Sequence, residues 1–348
     1  MPDQVSTSNF HARALRQWLL AVAAMIFLTL VIGGATRLTE SGLSIVEWKP
    51  VTGVLPPLTP GVWQDEFEKY QQIPQYREHN RGMSLEQFKT IYWWEWSHRL
   101  LARTTGVVFL IPFLFFLWRG TIPPPLRLRL WTIFAGGALL GVVGWWMVSS
   151  GLAGSTLVKV SQYRLAFHMT FACAVYAAVV WTALELVPQP PSHAPKLLRL
   201  GGLAIVALLF VQIYLGALVA GLDAGLKYNT WPTIDGELMP SFDRLFFISP
   251  LWRNLFENDL MVQFNHRMLA DGIWALSVLQ VYGAWRLQHE LRGAMTVAAL
   301  VTLQAGLGIV TLLTQAPLLL ALAHQLMAIV VFTAAIIHAE RLLHHDRH

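Results

Sequence analysis

A carboxylate and an imidazole are spaced to share one helix face in the segment that begins at Tyr92. Glu95 and His98 stand at i and i+3 just before an apolar run, so on a helix both side chains lie on the same face. A matching segment follows later, with Gln263 and His266 at the same spacing. A carboxylate can act as a base or a nucleophile, whereas an amide cannot. The two segments therefore predict one catalytic copy and one copy that only holds a cofactor.

The composition indicates that lipid surrounds most of the chain. Of its 348 residues, 55% are hydrophobic and 13% are charged, and the mean hydropathy is +0.48. Soluble domains carry about 25% charged residues. The single cysteine, Cys173, excludes an intrachain disulfide and a cysteine-based metal site. Eight apolar runs are long enough to cross a bilayer and predict an all-α integral membrane protein. They span residues 17–36, 99–118, 130–150, 165–187, 199–220, 267–286, 294–314 and 317–339.

The distribution of basic residues predicts the orientation of these helices. Short loops on one side of the membrane collect the lysines and arginines, as cytoplasmic loops do. We therefore place both termini in the cytoplasm, with residues 37–97 and 221–265 outside. These loops also account for the formal charge of +5 without a nucleic-acid partner. The basic residues are Arg13, Arg16, Arg119, Arg127, Arg129, Lys196, Arg199, Arg286, Arg292, Arg341 and Arg347.

The two outer loops share a register that indicates an internal repeat. When Glu40 is aligned with Asp223, five further positions match without a gap: Gly42 with Gly225, Leu43 with Leu226, Trp48 with Trp231, Gly53 with Gly236 and Pro57 with Pro240. The alternative is that two amphiphilic loops converged in composition. We predict repeats at 1–190 and 191–348, joined near Pro188 to Lys196. Each repeat forms a four-helix bundle, and a pseudo-two-fold axis along the membrane normal relates the two.

Four histidines lie at equivalent ends of the even-numbered runs: His98, His168, His266 and His324. Ionisable residues inside membrane helices are rare and mark functional sites. Two histidines from facing helices can ligate a haem iron axially, so we pair His98 with His168 and His266 with His324. Zinc, which takes three or four ligands, and purely structural histidines are the alternatives. The remaining eight are expected to be solvated or interfacial: His11, His79, His193, His289, His338, His344, His345 and His348.

Small and basic residues near these histidines allow two readings each. The glycines of the third and seventh runs either leave room for a flat macrocycle or pack bare membrane helices together. They are Gly136, Gly137, Gly141, Gly144, Gly306 and Gly308. Arg99 and Arg267, one step beyond a histidine, either pair with haem propionates or extend to the lipid headgroups.

The sequence of the first loop resembles that of the haem A synthase family. The matching stretches are Gly33-Gly34-Ala35-Thr36-Arg37-Leu38-Thr39, Ser41-Gly42-Leu43-Ser44, Glu47-Trp48-Lys49-Pro50-Val51-Thr52-Gly53, Pro56-Pro57, and Glu-x-x-His-Arg from Glu95 to Arg99. The resemblance extends over essentially the whole chain and includes the four histidines. The lack of cysteines in the loop is similar to the bacterial and mitochondrial branch without a cysteine pair.

The resemblance implies an eight-helix membrane oxidoreductase that oxidises the C8 methyl group of haem O to the formyl group of haem A. It also implies substrate haem in the N-terminal half, at His98, His168 and Arg99, and a haem b cofactor in the C-terminal half, at His266, His324 and Arg267. The product would pass to haem-copper terminal oxidases. Haem O synthase, oxidase assembly factors and a second copy of the chain are possible partners.

With both axial positions of the iron occupied by histidine, we expect oxidation by electron removal from the porphyrin methyl group. Glu95 would act as base or transient nucleophile, water would supply the oxygen, and electrons would leave through the haem b. Dissociation of one histidine would instead open an oxygen-activating route. A structural Glu95 that pairs with Arg99 is a further alternative. The rival functions are a non-catalytic bis-histidine di-haem cytochrome in quinol electron transfer, and a haem-handling or transport protein without redox chemistry.

Overall fold

The structure, a computed structural model, describes residues 2–187 and 191–344, with side chains from residue 11 onward. In these ranges the chain is helical, and no strand forms apart from one isolated bridge between Ile234 and Glu237. Three short 3-10 turns, at Thr52–Val54, Ser149–Gly151 and Leu251–Arg253, complete the regular structure. The helices are α1 (Pro2–Leu38), α2 (Pro60–Tyr70), α3 (Pro74–Glu78), α4 (Leu85–Trp118), α5 (Pro124–Val148), α6 (Gln162–Glu185), α7 (Lys196–Gly221), α8 (Ala224–Lys227), α9 (Phe242–Leu245), α10 (Asn254–Glu257), α11 (Asp259–Arg286), α12 (Leu291–Leu313) and α13 (Leu318–Leu343).

Seven of the helices in the described residues are long and apolar enough to cross a membrane: α1, α4, α5, α6, α7, α12 and α13. The eighth predicted run corresponds to α11, which has 28 residues and is long enough. It is less apolar than the other seven, because Asn265, His266, Arg267, Asp271 and Gln280 all lie within it. Each predicted run coincides with one long helix over most of its length, but the runs 130–150, 165–187, 294–314 and 317–339 pass the helix ends by one or two residues. Several helices in turn extend well beyond their run.

The helices that carry the first and third histidines begin earlier than their apolar runs. Ser84 and Gln87 form a capping box at the start of α4, so the helix begins at Leu85. His98 follows 13 residues later, about 20 Å along the helix. The side chain of Asn258 similarly accepts hydrogen bonds from Leu260 N and Met261 N and caps α11. Polar caps therefore begin these two helices before the apolar residues do, and Glu95 and His98 lie within α4 rather than in its first turn.

The described residues divide into two compact units. One unit is Ala24–Ala172, and the other combines the chain up to Ala23 with the chain from Cys173 onward. We call them the N-terminal unit and the C-terminal unit. Part of the predicted join, residues 188–190, lies outside the described residues. The predicted boundary at residue 190 concerns the duplication rather than packing, and it stays a prediction.

In the N-terminal unit, the segment between α1 and α4 folds into an aromatic layer instead of a loose tether. Helix α2 packs against α4, and α4 packs against α5. Tyr70, Phe88 and Ile73 are almost completely buried in this layer. Tyr70 also accepts a hydrogen bond from Asn80 and donates one to Gln75, and burial raises its pKa to about 12. The layer fixes the segment from residue 40 to 50 against the start of α4.

In the C-terminal unit, α7, α11, α12 and α13 form a closed four-helix arrangement. Helix α7 packs against α11 and α13, and α12 packs against the same two helices. In a closed bundle of this kind, side chains on facing helices can converge on one ligand.

The ends of α1 and α7 share an uncommon backbone conformation. Glu40 and Asp223, the residues aligned in the predicted repeat, both have left-handed backbones, with φ values of 53° and 52°. Non-glycine residues adopt this conformation in only a few per cent of cases. The two helices therefore end in the same way at matched positions, and the duplication itself stays a prediction.

Candidate functional site

Each histidine of the N-terminal pair lies against a glycine of a neighbouring helix. A methyl group placed on Gly33 of α1 would lie 2.9 Å from His98 Nε2, and one placed on Gly144 of α5 would lie 3.1 Å from His168 Cε1. Both imidazoles belong to the N-terminal unit and are near enough to interact electrostatically. Glycine is the residue that allows such close approach, because it has no Cβ.

The histidines of the C-terminal unit repeat this arrangement. A methyl group on Gly216 of α7 would lie 3.1 Å from His266 Cε1, and one on Gly308 of α12 would lie 2.7 Å from His324 Cε1. His266 and His324 also interact electrostatically. Each of the four imidazoles therefore packs against a glycine of a neighbouring helix, and the pairing of the histidines as ligands stays a prediction.

Two glutamines hold the histidines of the C-terminal unit. Gln212 Nε2 lies 3.0 Å from His266 Nδ1 and donates to the His266 carbonyl at 3.0 Å. Gln304 Nε2 lies 3.4 Å from His324 Nε2 and donates to the His324 carbonyl at 3.0 Å. Each glutamine precedes the contacting glycine by four residues, so amide and glycine occupy one face of the same helix.

Glu95 is buried and bound to the loop that follows α1. The residue is only 2% exposed. Its Oε2 atom accepts hydrogen bonds from Ser44 Oγ at 2.7 Å and from Ile45 N at 2.8 Å. Oε1 accepts from Arg99 at 2.5 Å. The carboxylate thus joins α4 to residues 44–45, and the reading in which Glu95 pairs with Arg99 describes an observed contact.

Gln263 makes the corresponding connection in the C-terminal unit with the opposite polarity. Its Nε2 donates to Ala224 O at 3.1 Å and Tyr228 O at 2.8 Å, and its Oε1 accepts from Arg267 at 2.9 Å. Ile45 and Tyr228 are matched positions in the predicted repeat. The outer loop of the N-terminal unit presents hydrogen-bond donors to the Glu95 carboxylate, and that of the C-terminal unit presents carbonyl acceptors to the Gln263 NH₂ group. Each side chain therefore matches the loop that it contacts.

The two arginines beyond the histidines bind loop carbonyls. Arg99 donates to Ile45 O and Glu47 O, and Arg267 donates to Tyr228 O and Thr233 O. Propionate binding and extension to the headgroups, the two roles expected for these arginines, stay predictions. Both guanidiniums hold the outer loop against the helix that carries a histidine.

One of the histidines predicted to be peripheral is buried. His338 of α13, expected to be solvated or interfacial, is 2% exposed and lies 3.3 Å from the Gln280 amide nitrogen, so its side chain is not solvated. Its helix packs inside the C-terminal unit down to its last turns, where Glu340 pairs with His344. His345 and His348 lie outside the described residues.

The sequence reading missed Gln212, Gln304, Gly216 and the role of Gly33. A signal was present, because Gln-x-x-x-Gly occurs in the runs of both α7 and α12, and an amide in an apolar run needs a partner. Of the glycines expected to leave room for a macrocycle, Gly144 and Gly308 contact histidines. A methyl group on Gly137, Gly141 or Gly306 would meet no atom within 4 Å.

The donor set fits a haem with two histidine ligands in each unit. Each unit brings two imidazoles together from different helices, and the buried Nδ1 atoms of His168 and His324 have no hydrogen-bond partner. Within the described residues, no group of three or more His, Cys, Asp or Glu side chains is arranged to hold a metal ion. The zinc alternative, which takes three or four ligands, therefore finds no support among these residues.

Comparison with known proteins identifies the family. Residues 16–336 match the COX15-CtaA family, described as cytochrome oxidase assembly protein. The chain is 57% identical over 332 residues to heme A synthase of Rhodopseudomonas palustris strain BisA53, covering 95% of this chain and 91% of that protein. It is 57% identical over 340 residues to heme A synthase of Bradyrhizobium diazoefficiens, covering 97% and 94%. These matches cover nearly all of both chains, and so this multi-pass membrane protein belongs to the haem A synthase family.

Proposed function

We propose that this protein oxidises the C8 methyl group of haem O to a formyl group and so produces haem A. One observation carries the proposal: a chain of the haem A synthase family has two matched sites, and in each of them two histidine rings pack against glycines of neighbouring helices. One site binds the substrate haem and the other binds a resident haem b. His266 and His324 would hold the resident haem, which would supply redox chemistry for the electrons removed from the methyl group.

The architecture that supports this proposal has eight membrane helices. We count α11 as the eighth span, because its polar residues His266, Arg267 and Gln263 face partners inside the C-terminal unit rather than lipid. The repeats are two four-helix bundles related by an axis along the membrane normal, with both termini in the cytoplasm. Haem O synthase, oxidase assembly factors and a second copy of the chain are the partners consistent with this role.

The N-terminal unit is assigned to the substrate and the C-terminal unit to the haem b. His98 and His168 would bind the substrate iron, and His266 and His324 the resident iron. Arg99 and Arg267 would support these sites by fixing the outer loops. The glutamine contacts of His266 and His324 favour this division, because a resident cofactor gains from ligands that are held in place.

Glu95 is the proposed base or nucleophile of the N-terminal site. It lies on the helix that carries His98, and its carboxylate is oriented by Ser44, Ile45 and Arg99. A carboxylate has about four lone-pair sites, so a fixed Glu95 that accepts three hydrogen bonds can still accept a proton. Water would supply the oxygen.

The activity is tested by pigment extraction from cells that contain haem O but lack a haem A synthase of their own. Cells expressing this chain should yield haem A, and the purified protein should show a reducible b-type spectrum. A b-type spectrum without any conversion of haem O would instead identify a di-haem cytochrome. Absence of a bound, reducible haem would contradict both functions.

The role of Glu95 is tested by Glu95→Gln, with Ser44→Ala as the matched structural control. Loss of general-base catalysis typically lowers the rate by 10²–10⁴-fold. Glutamine can accept from Ser44 and Ile45 only if it turns its NH₂ group toward Arg99, which is also a donor. Breaking a buried ion pair costs about 3–5 kcal/mol, an upper figure here because Arg99 keeps two carbonyl partners.

Ser44→Ala removes one hydrogen bond from the carboxylate, worth about 1.5–3 kcal/mol with a charged acceptor, and leaves it ionisable. If Glu95 does the chemistry, Glu95→Gln should accumulate haem O while Ser44→Ala still makes haem A at equal haem b content. Equal loss of haem A in both variants, in proportion to lost thermal stability, would leave Glu95 a structural residue.

A further inference from the structure

The two glutamines of the C-terminal unit distinguish its histidines from those of the N-terminal unit. Gln212 stands four residues before Gly216, and Gln304 stands four residues before Gly308. At the corresponding distance before Gly33 and Gly144, the N-terminal unit has Thr29 and Leu140. The Thr29 hydroxyl donates to Met25 O in its own helix, and leucine offers no polar atom. The amide pair is thus a feature of one site and not of the other.

Each amide is placed to control the ring beside it. The nitrogen of Gln212 donates to the His266 carbonyl and also reaches a ring nitrogen at 3.0 Å. The amide oxygens of both glutamines are buried and have no partner in the described part of the chain. An amide can donate to a bare ring nitrogen through its NH₂ group, or accept from a protonated one through its oxygen.

A ligated imidazole requires the second of these contacts. When iron takes one ring nitrogen, the other carries a proton, and an acceptor for that proton fixes the ring and makes the ligand more basic. In the structure the NH₂ group of each glutamine faces the ring and donates to the histidine carbonyl, while both amide oxygens are buried without a partner. Turning the amide over would bring its oxygen to the ring and give it a partner, in exchange for the hydrogen bond to the carbonyl.

We propose that Gln212 and Gln304 are positioning residues that keep the haem bound in the C-terminal site and lower the reduction potential of that haem. By the same argument, the N-terminal site releases and rebinds its haem more easily, because Thr29 and Leu140 stand where the C-terminal site has glutamines. A substrate haem has to enter and leave, whereas a cofactor has to stay. This inference rests on the proposed function, in which the C-terminal unit holds the resident haem.

The test compares Gln→Met and Gln→Glu at each position in the purified, haem-loaded protein. Methionine preserves size and removes the hydrogen bonds, whereas glutamate restores an acceptor that is more strongly basic. Loss of a partner beyond the metal ligand typically weakens metal affinity by 10–100-fold. We therefore expect Gln212→Met and Gln304→Met to transfer haem b to a haem-scavenging apoprotein about 10–100-fold faster.

The midpoint potential separates positioning from simple packing. It should rise in the methionine variants and fall in the glutamate variants. A tenfold loss of ferric relative to ferrous affinity equals a rise of about 59 mV for a one-electron couple. Unchanged transfer rates and potentials in the methionine variants would overturn the proposal. So would equal shifts in the methionine and glutamate variants, or equal loss of haem from both, because side chains that merely fill space would behave alike.

The converse variant, Leu140→Gln, introduces an amide beside His168. It should slow release of haem from the N-terminal site, so that more haem O and haem A copurify with the protein. Unchanged copurification would contradict the exchange half of the proposal. All these readouts use bound haem and remain measurable if no haem A is formed, so failure of the proposed activity and failure of this inference are distinguishable.

Discussion

A single methyl group on α12 should displace the His324 imidazole and empty the proposed haem b site. A Cβ at Gly308 would lie 2.7 Å from His324 Cε1, whereas ordinary van der Waals contact begins at 3.4 Å. Gly308→Ala therefore requires a displacement of about 0.7 Å. Functional side chains must be held within about 0.5 Å of the productive geometry, so the ligand moves out of tolerance. We expect haem affinity to fall by about 10–100-fold, as for other changes to the support of a metal ligand.

Gly306→Ala is the matched control on the same helix, because a methyl group there meets nothing within 4 Å. Both changes raise helix propensity by about 1 kcal/mol, so propensity cannot explain a difference between them. The measurement is haem b per protein, from the reduced spectrum of protein purified at equal expression. Full b-type absorbance in Gly308→Ala, equal to that of Gly306→Ala, would refute the assignment of His324 as a ligand held against this glycine.

Three further predictions concern the N-terminal unit. Gly144→Ala should crowd His168 in the same way and lower the substrate haem that copurifies with the protein, while haem b stays at full occupancy. The hydrogen bond from Lys49 holds the pKa of Glu47 below its ordinary value of 4.5, so this pair stabilises the loop above that pH and the stabilisation is lost as the pH falls below it. Because both side chains are about 40% exposed, Glu47→Gln should remove less than about 1 kcal/mol of acid-dependent stability in a pH series of thermal unfolding. A reporter fused after Trp118 should report a cytoplasmic location, and an external signal would reverse the orientation.

The positions of the long helices and the four histidines could be predicted from the sequence. Runs of apolar residues identify membrane helices because the hydrocarbon layer requires them. Histidines in such runs are conspicuous because they are costly there. The pairing of His98 with His168 and of His266 with His324 followed from the repeat and stays a prediction, whereas the contact of each imidazole with a glycine of a neighbouring helix is seen only in the structure.

The starts of α4 and α11 could not be read from hydropathy, because their first turns lie outside the apolar runs. Their limits depend on caps such as Ser84 and Asn258, which are local hydrogen bonds rather than features of composition. The contacts of Gln212 and Gln304 also escaped prediction. A glutamine reaches a histidine on another helix only through the rotation of both helices, and a periodic apolar pattern does not fix that rotation in a membrane helix that is hydrophobic on all sides.

Hydrogen bonding to the outer loops gives a structural reason for the difference between Glu95 and Gln263, in addition to any catalytic reason. Arg99 and Arg267 demand an acceptor at both positions, and an acid and an amide both provide it. The remaining contacts decide which of the two fits. Donors of the first loop, Ser44 Oγ and Ile45 N, favour a carboxylate, and carbonyls of the second loop favour an NH₂ group. Because hydrogen-bond polarity alone accounts for this exchange, the asymmetry does not by itself establish catalysis. The asymmetry of the glutamines is of another kind, because those amides contact the histidines themselves.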